Sequence, residues 1–234
     1  MSSRSALRYS VVGLLLSLLL LTPNCFGGVT REVTRTYPLN ADGSFELNNV
    51  NGTVRIEAWD KDEVEVRAVK STPDQEALLD MVAIDVDSKP EALTISTRYP
   101  QEEGVEVAVD YTIHVPRRAQ LNHVTNVNGT LRVVSSESVG ELHTVNGNIE
   151  VYEGGGNVRA HTTNGSVLLA VPADMPADLE ARCMNGNFSS ELPLVMGGAE
   201  QPRTLHGKLG HGGAPIHLST VNGAIRVVAL RSTV

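Results

Sequence analysis

The sequence predicts an all-β chain: a right-handed β-solenoid or β-helix-like repeat domain, preceded by a strand region with one short helix. Three observations lead there. Asn-Gly pairs start at Asn51, Asn128, Asn146, Asn164, Asn185 and Asn222, and the intervals from the second pair onward are 18, 18, 21 and 37 residues. The last interval is close to two repeats, with a degenerate copy expected between His206-Gly207 and Gly212-Gly213. Apolar residues also keep fixed offsets from each Asn, and the first half of the chain holds several runs of alternating apolar and polar residues. A chain of 234 residues with 41% hydrophobic and 20% charged residues has the composition of one large folded β domain.

The N-terminus reads as a secretion leader over residues 1–28. Arg4 and Arg8 precede an apolar run from Val11 to Leu21, and Thr22 to Gly28 form a small-residue exit. A run of this length is too short to span a bilayer. Pro23 and Asn24 stand where a lipoprotein site wants small residues, so cleavage after Gly27 or Gly28 is favoured over lipid anchoring through Cys25. Cleavage leaves Cys183 as a single thiol and rules out an intramolecular disulfide in an oxidising compartment. Removing two arginines takes the formal charge of −8 to −10, which argues against nucleic acid or an anionic lipid surface as a bulk electrostatic partner.

The mature chain, residues 29–234, is expected to be a single domain with a strand region over 29–118 and a repeat solenoid over 119–234. In the first part, Val64, Val66 and Ala68 alternate with Glu63, Glu65 and Arg67. The same period recurs at Ile84/Val86, at Leu93/Ile95 and in the run from Val105 to Val115, which Pro116 ends because it cannot donate to a ladder. One helix is expected after Thr72 as N-cap, with Pro73 at the first helical position and Gln75 completing a capping box. Ala77, Leu78 and Met81 would form its apolar face.

In the repeats, the third and fifth residues after each Asn are Leu131/Val133, Ile149/Val151, Val167/Leu169, Phe188/Ser190 and Ile225/Val227. Val54/Ile56 is an early copy. Four residues before the Asn stand Val124, Leu142, Ala160, Ala181 and Leu218, and two before it Asn126, Thr144, Thr162, Cys183 and Thr220. These columns are expected to face inward. Asn and Gly suit the corners because both tolerate positive φ. Equivalent columns favour stacked coils, about five of them, over a hairpin meander.

The run Val109-Asp110-Tyr111-Thr112-Ile113-His114-Val115-Pro116, followed by serial Asn-Gly corners at Asn128, Asn146, Asn164 and Asn222, resembles a bacterial putative-adhesin family with β-strand repeats. That family is of unknown biochemical function and related to the adhesin-head type. The resemblance spans about Arg31 to Val228. It departs from the family pattern at Arg182-Cys183-Met184 and in the Pro193–His206 insertion. It implies an exported periplasmic or surface protein and supplies no catalytic residues.

Glycoside cleavage needs two carboxylates facing one site. After Ala119 the aspartates are Asp174 and Asp178, and the glutamates do not recur in one column. No Ser lies in a Gly-x-Ser-x-Gly elbow. A polar stripe precedes each corner: His123/Thr125, Glu141/His143, Arg159/His161, Glu180/Arg182 and His217/Ser219. Imidazole and carboxylate on adjacent rungs have the chemistry of a zinc or copper site, with His143, His161 and His123 or Glu141 as ligands. The stripe reads instead as a solvated face, because it continues as Arg182 and Ser219 and places Arg159 beside His161. Catalytic, cofactor-binding and metal sites are therefore expected to be none, with no cofactor. The expected role is a non-enzymatic envelope protein, adhesion-like or scaffolding, whose partner is an envelope protein or polysaccharide. The alternatives are a carbohydrate-active β-helix enzyme and a self-polymerising structural solenoid.

Overall fold

The computed structural model describes residues 28–101, 104–155, 157–196 and 203–230. Residues 1–27 of the expected leader, Cys25 among them, lie outside that range.

The alternating runs become strands. The first part supplies β1 (Val29–Pro38), β2 (Ser44–Asn48), β3 (Val54–Trp59), β4 (Glu63–Thr72), helix α1 (Ala77–Met81), β5 (Ala83–Lys89), β6 (Ala92–Arg98) and β7 (Ala108–Pro116). The repeats supply β8 (Gln120–Asn128), β9 (Leu131–Val134), β10 (Val139–Asn146), β11 (Ile149–Tyr152), β12 (Val158–Asn164) and β13 (Val167–Val171). The last six are β14 (Ala177–Asn185), β15 (Phe188–Ser190), β16 (Leu194–Met196), β17 (Thr204–Leu209), β18 (Ala214–Asn222) and β19 (Ile225–Ala229).

These strands build two large mixed sheets that face each other as a sandwich, and neither closes into a barrel. The first sheet runs β1-β4-β7-β3-β9-β11-β13-β19-β15, and the second β16-β17-β14-β18-β12-β10-β8-β2-β6-β5. Each Asn-Gly pair is the corner where the chain leaves the second sheet for the first. The central pairings are parallel and in register, so Leu142 lies opposite Ala160 in the second sheet and Ile149 opposite Val167 in the first.

In-register stacking puts each inward column on itself. Leu131, Val133, Ile149, Val151, Val167, Leu169, Ile225 and Val227 are all fully buried, as are Val124 and Leu142 of the facing sheet. Each such aliphatic side chain contributes roughly 1.5–3 kcal/mol by leaving water. The columns lose this quality only at the end of the stack, where Phe188 and Ser190 are half-buried.

The corners combine positive φ at some glycines with contacts between neighbouring rungs. Gly52, Gly129 and Gly223 take the positive φ expected of a corner, at 121°, 134° and 157°, whereas the corner Asn residues, Gly147 and Gly165 do not. Gly is needed because coils approach too closely for a side chain: a Cβ on Gly147 would sit 1.9 Å from the Gly129 carbonyl oxygen, and one on Gly165 would sit 1.9 Å from that of Gly147. Asn is needed for its amide. Asn128 Nδ2 donates to Asn51 Oδ1 at 2.7 Å, Asn146 to Asn128, Asn164 to Asn146 and Asn222 to Asn164 at 2.8 Å each, and Asn185 to Asn222 at 2.9 Å. Six Asn side chains thus form one unbroken ladder. Beneath it, the buried Thr144, Thr162 and Thr220 donate Oγ1 to the carbonyls of Gly129, Gly147 and Gly165, which satisfies polar groups that would otherwise be costly in a core.

Several elements differ from the expectation. Strands from both sides of residue 118 share both sheets, since β3 pairs with β9 and β2 with β8. The expected degenerate coil near His206 is instead β17, which runs antiparallel to β14 and is flanked by β16. The rungs also leave chain order, because β18 lies between β12 and β14. The capping box does not form: Thr72 ends β4 opposite Val29, and its Oγ1 accepts from the Asp74 amide at 3.3 Å. The helix that follows starts at Ala77, has no side-chain cap and buries Leu79. The strand expected from Val105 starts at Ala108.

Candidate binding faces

The outer face of the second sheet carries the polar stripe. Register places Glu46, His123, Glu141, Arg159, His217, Glu180 and His206 in one continuous column. Within it, His123 Nδ1 lies 3.5 Å from Glu141 and His217 Nδ1 lies 3.2 Å from Glu180, which Arg182 also contacts at 3.3 Å. A second column, two residues on, holds Asn48, Thr125, His143, His161, Ser219, Arg182 and Thr204. Such partly exposed pairs are each worth only ~0–1 kcal/mol, so the column sets charge pattern more than stability.

His143 and His161 are neighbours, as their spacing predicts, with ring centroids 5.1 Å apart and planes within 12°. Stacked in this way, their nitrogens do not converge on a common point. His161 Nδ1 contacts Ser219 Oγ at 2.7 Å, so the next residue in the column is Ser219 and Arg182 follows it. Burial, then the neighbouring His161, hold the His143 pKa below the ordinary imidazole value. Among the described residues no group of three or more His, Cys, Asp or Glu is placed to hold a metal ion.

Sequence reasoning passed over a cluster on the outer face of the first sheet. His114 stacks on Trp59 at 5.1 Å and lies 3.4 Å from both Glu57 and Glu65, while Lys61 Nζ sits 4.2 Å above the Trp59 ring. On β9, the rung next to β3, the Arg132 guanidinium lies 4.3 Å from the Tyr152 ring of β11 and pairs with Glu150 at 3.3 Å. These groups meet through the pairing of β3 and β4 with β7 and of β9 with β11. The β3–β7 pairing spans more than fifty residues, and no local signal in the sequence announces it.

Carboxylates do come close in two shallow clefts. Glu153 and Asp174 line one of about 440 Å³, and Asp178 and Glu180 line another of about 320 Å³. Each is already engaged or set in a turn: Ser135 Oγ donates to Glu153, Lys208 lies 3.9 Å from Asp178, His217 holds Glu180, and Asp174 belongs to the Pro172–Pro176 turn. In the stripe itself, Glu141 and Glu180 are three rungs apart, about 14 Å at the usual strand spacing. That is too far for the two-carboxylate chemistry of glycoside cleavage. Cys183 is buried, and burial pushes its thiol pKa up, which makes it a poor nucleophile. No helix among the described residues is long and apolar enough to cross a membrane.

No protein-family model and no curated relative matches the sequence. Among solved structures, a putative cell adhesion protein from Clostridium sporogenes is similar over 86% of this chain and all of its own, with a TM-score of 0.65 and 12% identity. A putative adhesin from Bacteroides fragilis matches 86% of this chain and 97% of its own at 12% identity, with a TM-score of 0.35. The first of these likenesses shows that the chain shares the fold of that protein.

Proposed function

We propose that the chain is an exported, non-enzymatic envelope protein whose residues 29–234 act as a single adhesin-like domain. It binds an envelope protein or polysaccharide across its flat outer faces, in an adhesion-like or scaffolding role. The leader pattern supports export to the periplasm or surface, and the in-register rungs support a right-handed solenoid-like stack. One observation carries the binding reading: the column from Glu46 to His206 crosses seven adjacent strands as one open surface of mixed charge. Such a surface suits a partner recognised through many weak polar contacts along an extended line. Catalysis, by contrast, wants a few convergent groups in a closed cleft.

Cosedimentation of the purified protein with isolated envelopes and with purified cell-wall polysaccharide tests this. Retention should weaken with salt and fall in Glu141→Lys and Arg159→Glu variants that keep the wild-type circular dichroism. Release of reducing sugar from the polysaccharide would replace this reading with the carbohydrate-active enzyme. Absence of retention on every fraction would remove the binding role.

A further inference from the structure

The two sheets part at the end of the sandwich opposite the last rung. There β1 and β4 close the first sheet, β5 closes the second, and the inner faces of these strands do not fill the space between them. A cavity of about 190 Å³ remains, lined by Val33, Tyr37, Val66, Ala68, Ile84 and Val86, with Arg35 and Lys70 also on its wall. The register explains the lining. Val33 lies opposite Ala68 and Arg35 opposite Val66, and Val86 lies opposite the buried Ile95. All of these residues therefore sit on inner faces, yet Val33 is 36% exposed and Ile84 and Val86 are only half-buried.

The charge at the mouth runs against that of the molecule. Arg35 makes no ion pair among the described residues. The Lys70 ammonium donates to the carbonyls of Leu79, at 3.1 Å, and Val82. Arg31, opposite Lys70, pairs with Glu76 and Asp80. The residues that line the cavity thus include two cations, Arg35 and Lys70, and no carboxylate, in a chain whose net charge is −8.

We propose that this cavity binds a medium-chain fatty carboxylate, with the alkyl chain between β1 and β5 and the carboxylate at Arg35 and Lys70. The size is suitable: a dry apolar cavity of about 150 Å³ takes up one benzene, so the space here holds about six carbons and leaves the remainder of a chain, with its headgroup, in the mouth. The apolar wall supplies the affinity for the chain, and the unpaired guanidinium supplies the preference for an anionic head.

Octanoate is the probe, titrated into the purified ¹⁵N-labelled protein and followed by amide chemical shifts. Saturable shifts confined to β1, β4 and β5 are expected, with no response to octyltrimethylammonium, which lacks the anion, or to propionate, which lacks the chain. Arg35→Gln, at an exposed position, should weaken octanoate about tenfold, and Val86→Trp, which fills the cavity, should abolish the shifts. If Val86→Trp does not fold, Ile84→Phe reads the same occlusion. No saturable shifts, equal response to the cationic detergent, or unchanged binding in both Arg35→Gln and the occluded variant would each overturn the proposal. So would a concentration-dependent dimer that covers β1 and β5.

Discussion

Replacing Gly147 with Ala tests whether coil spacing or backbone conformation explains the corner glycines. A Cβ there would lie 1.9 Å from the Gly129 carbonyl oxygen and 2.5 Å from its carbon. Both atoms are backbone, so no side chain can swing away, and relief requires neighbouring coils to open by about 1.5 Å to reach ordinary van der Waals contact near 3.4 Å. That opening breaks the Gly129 amide to Asn146 carbonyl bond at 2.9 Å, the Leu131 to Asn148 bond at 2.9 Å and the Asn146 to Asn128 side-chain bond at 2.8 Å. At about 1 kcal/mol for each hydrogen bond, with some loss of packing against Leu131 and Ile149, the cost is about 3–5 kcal/mol. This is a large share of the 5–15 kcal/mol typical of a whole domain. Gly207→Ala is the control, because its Cβ would meet nothing closer than the Leu194 side chain at 3.5 Å and the Val195 carbonyl at 3.7 Å, both ordinary contacts, and it should change stability by less than about 1 kcal/mol. Urea unfolding monitored by circular dichroism measures both. A Gly147→Ala variant within about 1 kcal/mol of wild type would show that the coils do not stack at this distance.

Three further outcomes follow from the columns. Cys183→Thr should stabilise the protein by about 0.5–1.5 kcal/mol, because Cys183 lies opposite Thr220 but its thiol donates only a weak, long bond to the Asn187 carbonyl at 3.7 Å, where Thr would reach the Gly223 carbonyl; a melting point that does not rise refutes this. Ile149→Asp should cost more than about 4 kcal/mol by placing an unpaired charge in the core, whereas Arg226→Asp on the outer face should stay within about 0.5 kcal/mol, and equal melting shifts would contradict the inward assignment. His143, whose pKa is lowered in the folded state, binds its proton more weakly there than when unfolded. Stability should therefore fall as pH drops through the ordinary imidazole range and level off below the depressed value. His143→Gln should flatten that slope in urea midpoints measured between about pH 5 and 8.

The inward columns were legible because a period-two strand joined to a fixed corner leaves one solution for which side chains face the core. Every residue assigned inward between Val124 and Leu169 is buried, and Leu218, Thr220, Ile225 and Val227 are as well. The stacking of His143 on His161 was legible for the same reason, since equal offsets from the corner become neighbours in a parallel ladder. The role of the corner residues was legible only in part: Gly52, Gly129 and Gly223 do take the positive φ expected of a corner, whereas the amide ladder and the close Gly contacts exist only between neighbouring rungs and leave no local signal. The helix start was misread through competition: Thr72 has a good capping side chain, but its backbone is taken by the ladder of β1 and β4. The cluster around Trp59 and His114 and the gap beside β5 depend on which strands close each sheet, which local periodicity does not encode.

The departure of the rungs from chain order has a physical logic. An interior rung must match a neighbour on both sides, and an end rung on one. The coil from Leu218 to Val227 has the full set: Leu218 and Thr220 inward, an Asn-Gly corner, then Ile225 and Val227. The coil from Ala181 to Ser190 has Cys183 where Thr stands elsewhere, and a half-buried Phe188 and Ser190 in place of two buried aliphatics. Chain order would put this weaker coil inside and the complete one at the end. The structure does the reverse, looping through β16 and β17 so that β18 and β19 pack on β12 and β13. The weaker coil then ends the stack, with β17 and β16 laid antiparallel over its second-sheet edge. Antiparallel strands cannot present the Asn-Gly corner that a further parallel rung would need, and β15 offers only three residues on the first sheet. The strands β16 and β17, drawn from around the break in the repeat, thus cover one edge of the stack, which opposes end-to-end growth and favours a finite stack over a polymer.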